Sequence, residues 1–133
     1  MSHLSIESLV LTKDGKAFTM PSPTGDWQLL REIGYSPVQM LVSSIAGCGG
    51  YVYESVLKNS DVPHTIERVR VEYTRNEQKR SQPLASVDLV IEAKIPAEYH
   101  EKALRCLKLI APNCPVIQSL DPAIQVNETV KFI

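Results

Sequence analysis

The chain has 133 residues, 44% of them hydrophobic, and a formal net charge of −1 at pH 7. That is the size of one ordinary globular domain with a buried core, expected to span residues 1–133, and the near-zero charge gives no electrostatic basis for a nucleic-acid partner. No apolar run approaches the ~18 residues of a membrane span, no basic segment leads into an apolar one at the start, and three cysteines are an odd count for a secreted disulfide framework. A cytoplasmic location is expected, where cysteines are mostly reduced.

Residues 3–12 read as a strand carrying Leu4, Ile6, Leu9, Val10 and Leu11. Lys13-Asp14-Gly15-Lys16 is a turn of the Asp-Gly type, and residues 17–20 return as the second strand of a hairpin. Pro21, Pro23, Thr24 and Gly25 interrupt the pattern. Residues 27–33 are short and apolar, an extended lead into the next element.

Residues 36–59 predict a long helix of about 35 Å at 1.5 Å per residue. Ser36 is a side-chain cap and Pro37 needs no amide hydrogen in the first turn. Leu41, Ile45, Cys48, Val52 and Val56 recur at spacings of three and four, so Cys48 falls on the apolar stripe. Gly47, Gly49 and Gly50 surround it, and each glycine costs about 1 kcal/mol relative to alanine in a helix interior. A helix that carries three of them is expected to have other backbone, or another subunit, packed very close to the cysteine. Pro63 ends it by driving the residue before it out of the helical region.

Residues 67–75 and 85–95 alternate strictly, with Val69, Val71 and Tyr73 and then Val87, Leu89, Ile91 and Ala93 on one face. They predict two antiparallel strands with one wet face. Pro96 opens a second helix with Tyr99, Ala103, Leu104, Leu107 and Ile110 as its stripe, stopped by Pro112. Residues 115–120 read as a short third helix, and 123–133 as a final alternating strand. The order ββ-α-ββ-α-α-β describes an α+β domain with antiparallel strands and segregated helices.

The cysteines carry different expectations. Cys106 reads as a small buried side chain of the second helix. Cys114 sits at a helix start, preceded by Asn113 as a cap and followed by Pro115, where unsatisfied amides favour a thiolate; a cysteine merely placed at a turn is the competing reading. Cys48 on its own reads equally as helix packing. There is no C-x-x-C, and His3, His64 and His100 occur singly in different elements, so a zinc site fits poorly. A Cys/His hydrolase using His64 or His100 ranks low, because both histidines read as solvent-facing.

The segment SPVQMLVSSIAGCGG, residues 36–50, resembles the OsmC/Ohr family, and so does Asn-Cys-Pro-Val at residues 113–116, with Cys114 lying 66 positions after Cys48. The resemblance covers essentially the whole chain. It implies an OsmC-like fold with the long helix at its centre, an intertwined homodimer, and a thiol peroxidase reducing organic hydroperoxides without a cofactor or metal. Cys48 would be the peroxidatic cysteine and Cys114 the resolving one, joined in a disulfide that an external dithiol reduces. In the family a glutamate just after the helix-opening proline holds an arginine from the N-terminal hairpin. Here that position is Val38, followed by Gln39, and the turn offers Lys13 and Lys16 but no arginine. Arg31 and Glu32 could supply a displaced pair, with Gln39 a further candidate. Residues ten apart on a helix are separated by about 15 Å, so polar groups at Val38 and Gln39 would serve the cysteine of a second, antiparallel chain. The missing glutamate leaves an alternative, a non-catalytic dimer of this fold binding a small apolar or thiol-reactive molecule.

Overall fold

The structure, a computed structural model, describes residues 7–133. It divides into two compact units, one ending at Leu41 and one running Val42–Ile133, with a single helix passing from the first into the second.

The first unit is a small antiparallel sheet in the order β1-β2-β3, formed by β1 (Thr12–Asp14), β2 (Ala17–Met20) and β3 (Trp27–Gln28). The expected first strand at 3–12 begins outside the described residues; within them, pairing starts only at Thr12. Asp14 pairs with Ala17 across a two-residue turn, and Gly15 takes a φ of +60°. Glycine at the first central position suits a turn whose twist matches the flanking strands. After β3 the chain turns at Leu30, whose carbonyl accepts from both Ile33 and Gly34. A Cβ at Gly34 would lie 2.2 Å from the Gln28 carbonyl oxygen, so only glycine fits there.

Helix α1 (Pro37–Asn59) starts where the sequence predicts. The Gln39 amide donates to Ser36 Oγ at 3.1 Å while Gln39 Oε1 accepts from the Ser36 amide at 2.9 Å. This is a reciprocal capping box, with glutamine as the third helical residue. The helix ends before Pro63 exerts its restriction. Asp61 adopts a φ of +56°, its amide bonds the Lys58 carbonyl, and the Val62 amide reaches back to Leu57. Val62 and Leu57 are both buried beside each other in the core cluster, the apolar contact that accompanies such an ending.

In the second unit, β4 (Thr65–Arg75) pairs antiparallel with β5 (Leu84–Lys94), as expected. Strand β6 (Gln125–Phe132) adds on the other side of β5, but parallel to it. This departs from the expectation of antiparallel strands throughout. The connection from β5 is a long helical crossover, which returns the chain to the end where β5 began and so delivers a parallel neighbour.

That crossover is less regular than the single predicted helix. A short 3-10 turn (Ala97–Tyr99) precedes α2 (His100–Cys106), a second 3-10 turn (Leu107–Leu109) follows, and α3 (Ile110–Asn113) contains Pro112 instead of stopping before it. Its buried stripe is Ala103, Cys106 and Ile110, while Leu104 is exposed. Helix α4 (Pro115–Gln118) completes the set.

The core lies between one face of the β4-β5-β6 sheet and the helices. Tyr53 and Leu57 of α1 meet Ile91 and Ala93 of β5 and Ala103, Cys106 and Ile110 of the crossover. Two of the three helix glycines are explained here. A Cβ on Gly49 would lie 2.8 Å from Leu89 Cδ1, and one on Gly50 would lie 3.1 Å from Val69 Cγ2, so α1 sits unusually close to its own sheet. Gly47 points into open space. Buried apolar area of this kind contributes roughly 25 cal/mol per Å².

Candidate redox site

The close approach of α1 to the sheet fixes the position of Cys48, one residue before Gly49. Cys114 reaches it from the other direction, at the junction of α3 and α4. The two sulfurs lie 2.8 Å apart, with the Cys114 thiol donating toward Cys48. Both thiols are free. The separation exceeds a disulfide bond by only about 0.8 Å.

The two cysteines differ in environment. Cys48 is partly accessible, whereas Cys114 has 0% exposure. The sequence expected Asn113 to cap the short helix and its amides to favour a Cys114 thiolate. Instead Cys114 is itself the cap, its sulfur accepting the Ile117 amide at 3.5 Å, and the Asn113 side chain donates to the Leu109 carbonyl. Burial, followed by the hydrogen bond to Cys48, pushes the Cys114 thiol above its ordinary range, and the Ile117 amide only partly opposes this. Four residues of helix supply too little dipole to reverse the effect of burial.

The remaining candidates lie in the first unit. Arg31 and Glu32 are exposed in the turn at 31–33, Val38 is half-buried in the first turn of α1, and Gln39 is engaged in the capping box. Cys106 is buried, 3.7 Å from Ser60 Oγ, in keeping with a packing role. His64 and His100 bond the carbonyls of Val62 and Ile95, and His100 stacks on Phe132. No group of metal-ligating side chains occurs among the described residues.

An open groove of about 490 Å³ is lined by Tyr51, Val52, Ser55, Val56 and Asn59 of α1, by Ser60 after it, and by Leu109 and Asn113 of the crossover. Val52 lies one helical turn beyond Cys48, and Asn113 immediately precedes Cys114, but neither cysteine lines the groove.

Two carboxylates escaped the sequence reading. Glu92 is 4% exposed on the outer face of β5 and pairs with Arg68 and Arg70. Burial would raise its pKa, but the Arg68 hydrogen bond and charge, with Lys131 and Arg70, hold it below the ordinary glutamate value. Glu128 falls on the inward face of β6 between Val126 and Val130, and its Oε1 is buried without a hydrogen-bond partner. Burial pushes its carboxyl upward. The alternation of β6 was the available signal: a glutamate at an apolar position of the period.

No curated protein sequence matches the chain. Among solved structures, the fold is similar to a hypothetical protein from Aquifex aeolicus VF5, with TM-score 0.76, 20% identity and coverage of 98% of this chain and 99% of the other. It is similar to the OsmC-like protein from Mycoplasma pneumoniae, with TM-score 0.72, 17% identity and coverage of 96% and 98%. It is similar also to the organic hydroperoxide resistance protein OhrB of Bacillus subtilis, with TM-score 0.63, 19% identity and coverage of 96% and 100%. The family model described as OsmC-like protein matches residues 30–129, which takes in both cysteines, and the chain belongs to that family.

Proposed function

We propose that the protein is a thiol-dependent reductase of organic hydroperoxides, with Cys48 peroxidatic and Cys114 resolving. The observation that carries this reading is the 2.8 Å approach of a partly accessible thiol to a fully buried one. Structural packing has no need of two sulfurs at that distance; a reversible disulfide does. In the proposed cycle the Cys48 thiolate attacks the terminal peroxide oxygen and the O–O bond breaks. The alkoxide takes a proton and leaves as the alcohol, and Cys48 becomes the sulfenic acid. Cys114 displaces water from it to form the disulfide, and an external dithiol returns both cysteines to thiols. The groove whose wall includes Val52, Val56 and Leu109, with lining residues one turn from Cys48 and adjacent to Cys114, supports an organic substrate over hydrogen peroxide.

The same reading takes residues 1–133 as one domain and the working unit as a homodimer. Large exposed side chains support the dimer: Phe18, Trp27, Ile33 and Tyr35 in the first unit, and Tyr51 on α1 at 76% exposure. Arg31, with Glu32 and Gln39, would then provide polar partners to the cysteine of the other subunit. A compartment that keeps thiols reduced, the cytoplasm, suits the cycle. No helix among the described residues is long and apolar enough to cross a membrane. The test is peroxide consumption with cumene hydroperoxide and a dithiol. Cys48→Ser is expected to abolish turnover and Cys114→Ser to leave a single-turnover sulfenic acid. Unchanged turnover in Cys48→Ser would end the proposal.

A further inference from the structure

The asymmetry between the two sulfurs decides how the oxidised form is reduced. We propose that the external dithiol attacks the disulfide at Cys48 and releases Cys114, so that the mixed disulfide forms on Cys48. The proposal rests on the peroxidase reading for its place in a cycle, but not for its chemistry. Displacement at a disulfide requires the incoming thiolate to approach one sulfur along the axis of the S–S bond, from the side opposite the leaving sulfur. Cys114 is wholly enclosed by its own chain, at the junction of α3 and α4 and capping Ile117. Cys48 stands on α1 beside Gly47, whose open side offers nothing within 4 Å. A second subunit could only cover Cys48 further; it could not expose Cys114.

An opposing effect exists and is outweighed. Exchange is faster when the departing thiol is the more acidic, and burial makes Cys114 the less acidic thiol than it would be in water. That effect favours attack at Cys114. Such attack, however, would require α4 or the segment before it to lift away from the core at Ile117 and Ile110, whereas attack at Cys48 leaves the packing of its own chain in place. The Ile117 amide, already directed at Cys114 Sγ, stabilises the thiolate that departs. One thiol of the donor forms a bond to Cys48 as the Cys48–Cys114 bond breaks, and Cys114 takes the electron pair and then a proton. The donor's second thiol then attacks its own sulfur in the mixed disulfide, freeing Cys48 and oxidising the donor.

The test oxidises the full-length protein in two separate samples, one with cumene hydroperoxide and one with diamide. Each is mixed with glutathione, quenched in acid at early times, alkylated and peptide-mapped by mass spectrometry. Glutathione is expected on Cys48 with the alkyl group on Cys114, in excess of the reverse pattern by at least ~10-fold at the first time point. Predominant glutathione on Cys114, or equal labelling of both, overturns the proposal and leaves the peroxidase reading intact. Disulfide formation with diamide but not with peroxide overturns the peroxidase reading while the exchange order is still measured. If diamide also fails to join Cys48 to Cys114, both are overturned.

Discussion

Two glycines on one helix, two residues apart, make a controlled comparison. Replacing either Gly47 or Gly49 with alanine gains the same helix propensity, about 1 kcal/mol. At Gly47 the added methyl meets nothing within 4 Å, so within one chain the gain stands alone. At Gly49 it arrives 2.8 Å from Leu89 Cδ1, and Leu89 is fully buried between Val87 and Ile91, themselves at 0% exposure. Restoring ordinary contact needs a displacement of about 0.6 Å or more in a close-packed region, a kind of overpacking that costs roughly 1–3 kcal/mol. The expected outcome is Gly47→Ala stabilised by about 1 kcal/mol and Gly49→Ala destabilised by about 1 kcal/mol. For a chain of this size the difference of about 2 kcal/mol corresponds to roughly 6–10 °C in Tm. Urea unfolding at several protein concentrations, with m-values compared, is the assay. Equal or greater stability of Gly49→Ala than Gly47→Ala would refute the argument that α1 is held against Leu89. A concentration-dependent loss in Gly47→Ala would instead report a second subunit on that face.

Other expectations follow from the two carboxylates. Glu128→Met removes an unpartnered buried acceptor between Val126 and Val130, and is expected to stabilise by roughly 1–3 kcal/mol at pH 7. A raised folded-state pKa means that wild-type stability is fully present below the ordinary value of 4.5 and declines as pH rises through the folded pKa. The gap in Tm should therefore narrow on acidification; a constant gap would count against the assignment. Glu92 has the opposite sign: its pKa is lowered, so its contribution is present above 4.5 and lost as pH falls through the folded value. Glu92→Gln should melt below wild type at pH 7 and converge with it in acid, as followed by circular dichroism.

Much of this arrangement is legible in the sequence because it depends on local chemistry. Ser36 and Pro37 fix the start of α1 through groups within one turn, and the Gly15 turn specifies its hairpin; that Gln39 completes the cap emerges only from the structure. The pairing of Cys48 with Cys114 follows from a family resemblance joining two motifs; neither motif alone distinguishes a redox thiol from packing. What was not legible depends on partners distant in the chain. Alternation in β6 reveals its faces but carries no direction, so its parallel pairing with β5 emerges only with the crossover. Leu104 satisfies the helical period, yet it is exposed and the buried stripe runs through Ala103, Cys106 and Ile110, a choice of face that only the packing against α1 and β5 makes. The glycines signalled a close approach without naming its object, which for Gly49 and Gly50 is the chain's own sheet. A helix start suggested an acidic Cys114, and complete burial reversed the sign. Glu92 reads as an outer-face charge, and only the cross-strand Arg68 and Arg70 explain its enclosure.

Cys48 and Cys114 are expected to act as a redox pair that turns over with an organic hydroperoxide. The most direct test mixes the reduced protein with one equivalent of cumene hydroperoxide, quenches the reaction rapidly, alkylates the remaining thiols and maps the peptides. Both thiols are expected to disappear together, with a Cys48–Cys114 disulfide recovered, one equivalent of alcohol formed and Cys106 fully alkylated. Peroxide left unconsumed, with Cys48 and Cys114 both alkylated, would contradict it.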